Sequence, residues 1–301
     1  MKRKLPNFLI VGAERSGTTS LYYYLKEHPQ IFTPKRKECR FFSNMSGNHR
    51  GLGDEYMNNS IIKNIKDYKF LFEGVSNEKA IGDISPDYLY FYKNSINNIN
   101  KYLINPKIII ILRNPIMRAY SNYFLHIKEG RETLSFEEAI KEDKNRRNHN
   151  WAWGWYYVDV GFYYNQVKAY LDNFEQVKIY LFNDLKKDTL SLVKDIYGFL
   201  GVDTSFAPNV NIRYSVAGIP KNKFIHKFLR EPNILKSMIK PVVKTLIPIG
   251  ERQKIIEKII MKNLQKPQMK PETREYLKNL YQEDVLKLQD LIKRDLSSWL
   301  E

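Results

Sequence analysis

Residues 6–29 are PNFLIVGAERSGTTSLYYYLKEHP, in which a short apolar run leads directly into a glycine-bounded turn. The apolar run Asn7–Val11 is typical of a buried parallel strand. A segment with helical character, Thr18–Glu27, follows it and ends before His28-Pro29. A strand, a glycine-rich loop and a helix in this order place several backbone N–H groups at a helix start. The stretch therefore predicts a phosphate-binding unit.

The loop Gly12–Thr19 has the glycine spacing of a nucleotide P-loop but lacks the lysine of that motif. Thr18 stands where the lysine would follow the second glycine, and a cation, Arg15, lies inside the loop instead. The neighbouring predicted strand ends in Arg113, not in an acidic residue that could hold Mg²⁺. The other loop residues that can donate to a phosphate are Ser16, Gly17, Thr18 and Thr19. The sequence thus predicts a phosphate site that requires no metal ion.

Further apolar runs alternate with helical segments along the chain. The run Lys107–Leu112 (KIIIIL) is a second buried strand, and Pro115 suits the first turn of a helix that extends to about Glu129. Two more strands are predicted at Ala80–Ile84 and Val177–Phe182, and two more helices at Thr189–Leu200 and Pro271–Leu300. This alternation predicts an α/β fold, a P-loop-like core whose central parallel β-sheet is flanked by helices on both faces.

The pattern changes beyond Val210, where the strand signal stops. Residues 221–267 are basic and amphipathic and are interrupted by prolines. A chain of 301 residues, 43% of them hydrophobic, suits a single domain over residues 1–301. We expect residues 210–270 to form a helical C-terminal cap or lid within that domain, with the terminal helix packed back on the core.

The charge balance favours anionic ligands. Lysine and arginine number 49 against 33 acidic residues, a net charge of +16, which indicates phosphates, sulfates, nucleic acid or an acidic membrane surface. The single cysteine, Cys39, excludes an internal disulfide and a cysteine-rich metal site. The sequence contains no apparent secretory signal and no apolar segment of membrane-spanning length. We therefore expect a soluble, cytoplasmic protein.

Several segments together resemble the sulfotransferases that use 3′-phosphoadenosine 5′-phosphosulfate (PAPS), in particular the branch of heparan-sulfate sulfotransferases and their bacterial relatives. The opening stretch resembles their 5′-phosphosulfate segment. KIIIILRNPIMRAYSNY (Lys107–Tyr123) is similar to their 3′-phosphate segment, and PKRKECRFF (Pro34–Phe42) to their K-E-x-x-F-F element. Framework segments of the bacterial members resemble Gly161–Leu185 and the C-terminal PETREYLKNLY. The resemblance covers nearly the whole chain, in the family's order.

The resemblance implies an activity and roles for single residues. It implies transfer of a sulfuryl group from PAPS to a hydroxyl or amine of a small metabolite or glycan, with release of 3′-phosphoadenosine 5′-phosphate (PAP). Arg15 matches the position that stabilises the leaving phosphate, where many relatives have lysine, and arginine keeps that charge. Arg113 and Ser121, eight residues apart, match the 3′-phosphate positions. Glu38 matches the catalytic glutamate and is the predicted general base.

Other residues receive less specific roles. Asp83, in the segment GDISPDY, is the second choice for the base or an acceptor-orienting group. Arg213 and Lys221 flank a stretch where relatives often close a loop over the nucleotide, so both are predicted to bind the cofactor. The aromatic cluster Trp151–Tyr157 either lines an acceptor cleft or packs in the core, and both interpretations stay open.

Three other functions are compatible with parts of the sequence. A P-loop kinase or NTPase would depend on Mg²⁺ and ATP, and the missing loop lysine argues against it. A basic nucleic-acid-binding protein would explain the charge and the aromatic residues, but no recognisable motif is present, so no nucleic-acid partner is expected. The third function is that of a family member that has lost activity and only binds nucleotide. Such a protein would not need the complete site, and this sequence retains all four of its residues: Arg15, Glu38, Arg113 and Ser121.

Overall fold

The computed structural model describes residues 5–211, 218–222, 263–265 and 267–301. Most of the predicted cap or lid at residues 210–270 lies outside the described residues, and so does Arg213. Within the described ranges, no helix is both long and apolar enough to cross a membrane.

A parallel sheet of five strands forms the centre of the fold, in the order β2-β3-β1-β4-β5. The strands are β1 (Phe8–Gly12), β2 (Ile31–Phe32), β3 (Ala80–Ile84), β4 (Lys107–Leu112) and β5 (Val177–Leu181). Every residue of β1 and β3 is buried, as expected for a parallel sheet that is covered on both faces. The predicted α/β class is confirmed, and four of the five strands lie within one residue of their predicted bounds. The two-residue β2 has too short an apolar run to be recognised in the sequence.

Helices cover both faces of the sheet. In chain order they are α1 (Thr18–Lys26), α2 (Asp54–Ser60), α3 (Ile65–Phe70), α4 (Asp87–Tyr90), α5 (Tyr92–Tyr102), α6 (Pro115–Lys128), α7 (Phe136–Lys141), α8 (Asp143–Asn148), α9 (Tyr164–Asn173), α10 (Phe182–Lys187), α11 (Thr189–Leu200) and the C-terminal helix (Pro271–Ile292). Side chains alternate between the two faces of each strand. Phe8 and Ile10 of β1 therefore pack with α1 and α11, whereas Leu9 and Val11 pack in the larger core on the opposite face.

The C-terminal helix is shorter than the predicted Pro271–Leu300. It ends at Ile292 because Lys293 adopts a left-handed backbone conformation, with φ of 51°. A short 3₁₀ turn, Ser297–Trp299, follows and returns the chain to the core, where Trp299 is buried. There the carbonyl oxygen of Trp299 accepts a hydrogen bond from Nδ2 of Asn114 at 3.0 Å.

A second, two-stranded antiparallel sheet pairs β6 (Ile219–Pro220) with β7 (Leu264–Gln265). No apolar alternation indicates a strand in this part of the sequence, so this pairing corrects the expectation of helices alone. The backbone N–H of Lys221 donates to the carbonyl of Asn263 at 2.6 Å, and Lys221 is exposed.

Candidate functional site

A cavity of about 620 Å³ opens where β1, β3, β4 and β5 end. Ligands of open α/β sheets bind at this edge, outside the carboxyl ends of the strands. Segments far apart in the sequence contribute to the cavity wall. The predicted site residues that line it are Arg15, Gly17, Thr18, Thr19, Glu38, Arg113 and Ser121. The cavity thus brings both predicted phosphate segments and the predicted base together.

The loop after β1 delivers its backbone to the cavity at the start of α1. Gly17 precedes the helix with φ of 102°, and a Cβ atom there would lie 2.6 Å from Cδ2 of Leu185, so both the backbone conformation and the space require glycine. The first turn of α1 has no side-chain cap, and Thr18 and Thr19 line the cavity. The N–H groups of a first helical turn lack intrahelical partners and suit an anion. Ser16 is fully buried and does not line the cavity.

Three predicted donor-binding residues contact one another. Nε of Arg15 donates to Oγ of Ser121 at 3.4 Å, and Nη1 of Arg113 donates to the carbonyl of Arg15 at 2.9 Å. The Arg113 guanidinium also lies 4.8 Å from the ring centre of Phe182. Burial, together with the nearby charge of Arg15, lowers the pKa of Arg113 to about 10. Arg113 remains protonated at neutral pH, and the two guanidiniums form a cationic site for an anion.

Glu38 faces the cavity from the loop between β2 and α2, and both of its carboxylate oxygens meet a cation. Nζ of Lys37 lies 2.6 Å from Oε1, and Nη2 of Arg40 donates to Oε2. Burial opposes ionisation of this carboxyl group, but Lys37 and Arg40 outweigh it and lower the pKa of Glu38 to about 2. A carboxylate with so low a pKa is a weak base. Glu38 would become a stronger proton acceptor if one of its two cations moved away.

Glu14 is a second carboxylate that lines the cavity, and its role was not predicted from the sequence. Its Oε2 lies 3.8 Å from Nη1 of Arg118, a fully buried residue of α6. Burial raises the pKa of Glu14, and the charges of Arg118 and Arg15 oppose that rise. The only signal in the sequence was an acidic residue directly before Arg15, inside a loop predicted to bind an anion.

The aromatic segment Trp151–Tyr157 is divided between core and cavity. Trp153, Trp155 and Tyr157 are all buried in the core, and Trp155 also lies at the cavity wall beside His126. Asp54 at the start of α2 fixes this wall, because it accepts hydrogen bonds from Nε1 of Trp155 at 3.0 Å and from the N–H of Ala152 at 2.7 Å. Core packing therefore describes all three of these residues, and Trp155 is the one of them that also reaches the cavity wall.

His126 on helix α6 is a further cavity residue. Its ring centre lies 4.1 Å from that of Trp155. Its Nε2 lies 3.0 Å from the carbonyl oxygen of Gly154, which can only accept, so Nε2 carries the proton. Burial and the nearby Arg131 lower the pKa of His126 to about 3. The ring is therefore neutral at physiological pH and does not act as a cation in the site.

Two predicted site residues lie away from the cavity. Asp83 is fully buried in β3, beneath the loop that carries Glu38, where three hydroxyl groups surround it. This position separates Asp83 from any proton that a substrate in the cavity would lose, which argues against its predicted role as a direct base. Lys221 is likewise absent from the cavity wall. In the part of the chain that the structure describes, no group of three or more His, Cys, Asp or Glu side chains could hold a metal ion.

Known proteins resemble this chain over its whole length. The sulfotransferase domain family matches residues 5–290. The crystal structure of a sulfotransferase from Alicyclobacillus acidocaldarius is 34% identical, with a TM-score of 0.78 over 99% of this chain and 100% of that one.

Curated proteins show the same similarity over parts of longer chains. The membrane-associated sulfotransferase kil1 of Dictyostelium discoideum is 35% identical over 148 residues, which are 46% of this chain and 28% of that protein. The bifunctional heparan sulfate N-deacetylase/N-sulfotransferase 4 of Mus musculus is 26% identical over 98% of this chain and 31% of that protein. The chain thus spans less than a third of the length of either curated relative.

Proposed function

Because this chain belongs to the sulfotransferase domain family, we propose that it transfers a sulfuryl group from PAPS to an acceptor hydroxyl or amine and releases PAP. One observation carries the proposal. Arg15, Arg113 and Ser121 come from two segments about a hundred residues apart, yet they are joined by contacts of 3.4 and 2.9 Å at one edge of the cavity. PAPS has two anionic ends, a 5′-phosphosulfate and a 3′-phosphate, and each end needs cations or hydroxyl groups to bind it. The two segments can supply one such set each.

The proposed donor site divides these two ends between the two segments. Arg15 and the start of α1 (Gly17, Thr18 and Thr19) hold the 5′-phosphosulfate, where the helix start and the guanidinium both favour negative charge. Arg113 and Ser121 hold the 3′-phosphate, with arginine donating two hydrogen bonds from a planar group. These residues bind an anion with their own charges and N–H groups, which supports a donor site that requires no metal ion.

The proposed transfer is an in-line displacement. The acceptor oxygen or nitrogen forms a bond to sulfur, and the bond between sulfur and the bridging oxygen breaks, leaving its electron pair on the phosphate of PAP. Arg15 and the loop N–H groups stabilise that growing charge, and a single stabiliser of this kind is worth about 2.7–4 kcal/mol of barrier. The acceptor proton passes to Glu38.

Glu38 needs a change in its surroundings to act as this base. Lys37 and Arg40 pair with its carboxylate in the structure. A sulfuryl group in the cavity offers both cations other oxygens to bind, and the departure of either one from Glu38 raises its pKa. In this proposal, donor binding itself makes Glu38 a stronger base.

The donor assignment is tested by calorimetric titration with PAP, AMP and ATP, each with and without Mg²⁺. Arg113 and Ser121 should make PAP bind about 100-fold more tightly than AMP, because two hydrogen bonds to a charged group contribute about 1.5 kcal/mol each. Equal affinity for PAP and AMP would remove these residues from the donor site. Binding of ATP that depends on Mg²⁺ would favour the kinase or NTPase alternative.

The acceptor is tested by transfer of radioactive sulfate from PAPS. De-N-sulfated heparin supplies glycan amines, dextran supplies glycan hydroxyl groups, and p-nitrophenol represents a small molecule. We propose a glycan or a small molecule as acceptor because the exposed Tyr56 lines the cavity, and aromatic faces stack on sugar or planar rings.

A further inference from the structure

Asp83 is a buried carboxylate at the centre of a hydrogen-bond network below the cavity. Its Oδ2 accepts from the hydroxyl groups of Tyr68 at 2.9 Å and Tyr88 at 2.8 Å, and its Oδ1 accepts from the hydroxyl of Ser85 at 2.7 Å. All four residues are fully buried. A carboxylate in such a place is retained only if its oxygens are well satisfied.

Two of these hydroxyl groups continue to the loop that carries Glu38. The backbone N–H of Arg40 donates to Oγ of Ser85 at 3.3 Å, and the N–H of Phe41 donates to the hydroxyl oxygen of Tyr88 at 3.1 Å. Burial raises the pKa of Asp83, but hydrogen bonds from Ser85, Tyr88 and Tyr68 oppose that rise. While Asp83 is ionised, the direction of both hydrogen-bond chains is fixed, because an N–H group only donates and a carboxylate only accepts. Asp83 therefore orients both hydroxyl groups so that their oxygens face the loop.

The loop needs such support because its backbone is strained. Glu38 has φ of 65° and Arg40 has φ of 54°, and neither is a glycine. Residues in this left-handed region persist only where the surrounding structure holds them. A third contact on the loop comes from the last residue of β3, whose Ile84 carbonyl accepts from the N–H of Glu38 at 3.2 Å.

We propose that Asp83 is a positioning residue, which fixes the Glu38 carboxylate in the cavity through the hydroxyl groups of Ser85 and Tyr88. The inference rests on the proposed role of Glu38 as the base. It gives Asp83 a function that requires no contact with substrate, in agreement with its place below the cavity wall.

Tyr68 provides a matched control within the same network. Tyr68 and Tyr88 are both fully buried, and both donate to Oδ2 of Asp83. Of these two hydroxyl groups, the described structure shows only that of Tyr88 accepting a hydrogen bond from the backbone of residues 38–41. Tyr88→Phe leaves the N–H of Phe41 unpaired, whereas Tyr68→Phe removes an equivalent hydroxyl and leaves the loop contacts intact. Ser85→Ala is a second variant, which removes the hydroxyl group that links Asp83 to the N–H of Arg40.

The first measurement requires no acceptor. Hydrogen–deuterium exchange of the peptide over residues 36–42 should accelerate about tenfold in Tyr88→Phe and in Ser85→Ala and stay at the wild-type rate in Tyr68→Phe. PAP affinity should be unchanged in all three variants. Equal exchange in Tyr88→Phe and Tyr68→Phe would overturn the inference.

The second measurement is a double-mutant cycle with Glu38→Gln, using the acceptor that is sulfated fastest in the screen above. Tyr88→Phe should lower kcat about tenfold in the wild-type background and leave it unchanged in the Glu38→Gln background, because the two residues act through one group. Additive effects would show that Tyr88 serves stability alone. A fully active Glu38→Gln enzyme would instead contradict the proposed base, and a fully active Tyr88→Phe beside an inactive Glu38→Gln would overturn only the positioning role.

Discussion

Nη1 of Arg118 lies 3.8 Å from Oε2 of Glu14, which joins helix α6 to the phosphate loop. The same guanidinium donates through Nη2 to the carbonyl of Tyr157, so one fully buried cation connects three segments of the site. The Glu14 carboxylate balances the charge of Arg118. Glu14 directly precedes Arg15, which is proposed to bind the phosphosulfate. Glu14 therefore has two opposing effects, because it stabilises Arg118 and repels an anionic donor.

Glu14→Gln should separate these two effects. Loss of the negative charge beside Arg15 should tighten PAP binding about fivefold at low salt, since one unit charge in a partly buried site is worth roughly 1 kcal/mol. The free energy of unfolding should fall by about 1–3 kcal/mol because Arg118 loses its counter-ion. Titration calorimetry and urea denaturation measure the two changes. The control is Glu283→Gln, which removes an exposed carboxylate paired with Lys287 and should alter neither quantity; weaker PAP binding by Glu14→Gln would contradict this account.

Arg15 can be tested with a pair of substitutions that separate charge from shape. Arg15→Met should lower kcat by roughly 10²–10³, the usual effect of losing one stabiliser of transition-state charge. Arg15→Lys keeps the charge and should retain most of the activity, since lysine stands at this position in many similar sulfotransferases. Sulfate transfer from PAPS at saturating donor measures both. If Arg15→Met kept wild-type kcat and changed only KM, Arg15 would bind the donor without stabilising the leaving group.

Glu38 predicts a pH dependence of stability at the acidic end. Burial opposes its ionisation, but Lys37 and Arg40 lower its pKa from 4.5 to about 2. A carboxyl group with a lowered pKa in the folded state stabilises the fold above its unfolded pKa, and this contribution disappears as the pH falls towards 2. The unfolding free energy of the wild type should therefore drop by up to about 3 kcal/mol relative to Glu38→Gln between pH 5 and pH 2. Parallel pH profiles for the two proteins would show that the ion pairs do not persist in solution.

Asp87 at the start of α4 should have the opposite effect near neutral pH. Burial raises its pKa from 3.8 to about 7, although Arg40 opposes the shift. The folded protein thus keeps a proton that the unfolded chain loses above pH 4, so stability falls as the pH rises from 4 to 7. Asp87→Asn should remove this loss, which amounts to at most about 4 kcal/mol. Thermal unfolding across this pH range measures it, and an equally steep loss in the variant would refute the assignment.

Local patterns in the sequence were sufficient to predict the fold and to select Arg15, Arg113 and Ser121, which line one cavity. The run Phe8–Val11 and the glycines of the following loop specify their own conformation, and β4 is apolar along nearly its whole length. The end of the C-terminal helix could not be predicted, because Lys293 has no intrinsic preference for a left-handed backbone.

The side-chain contacts that tune the site depend on tertiary packing. Glu14 and Arg118 are separated by about a hundred residues, and no periodicity relates them. Asp83 lies in a strand whose residues are all buried, so alternation of polar and apolar residues could not indicate which way its carboxylate points. The structure shows that this carboxylate bonds to three buried hydroxyl groups and does not reach the cavity wall.

Strand β1 lies at the centre of the sheet, between the two groups of proposed site residues. The proposed donor residues Arg113 and Ser121 follow β4, on one side of the phosphate loop, whereas β3 on the other side supports the loop of Glu38. The two halves share Arg15 but are built from different stretches of chain. Substitutions on the β3 side are therefore expected to act on the proposed base and to leave the proposed nucleotide contacts on the β4 side intact, so that turnover and donor affinity can change independently.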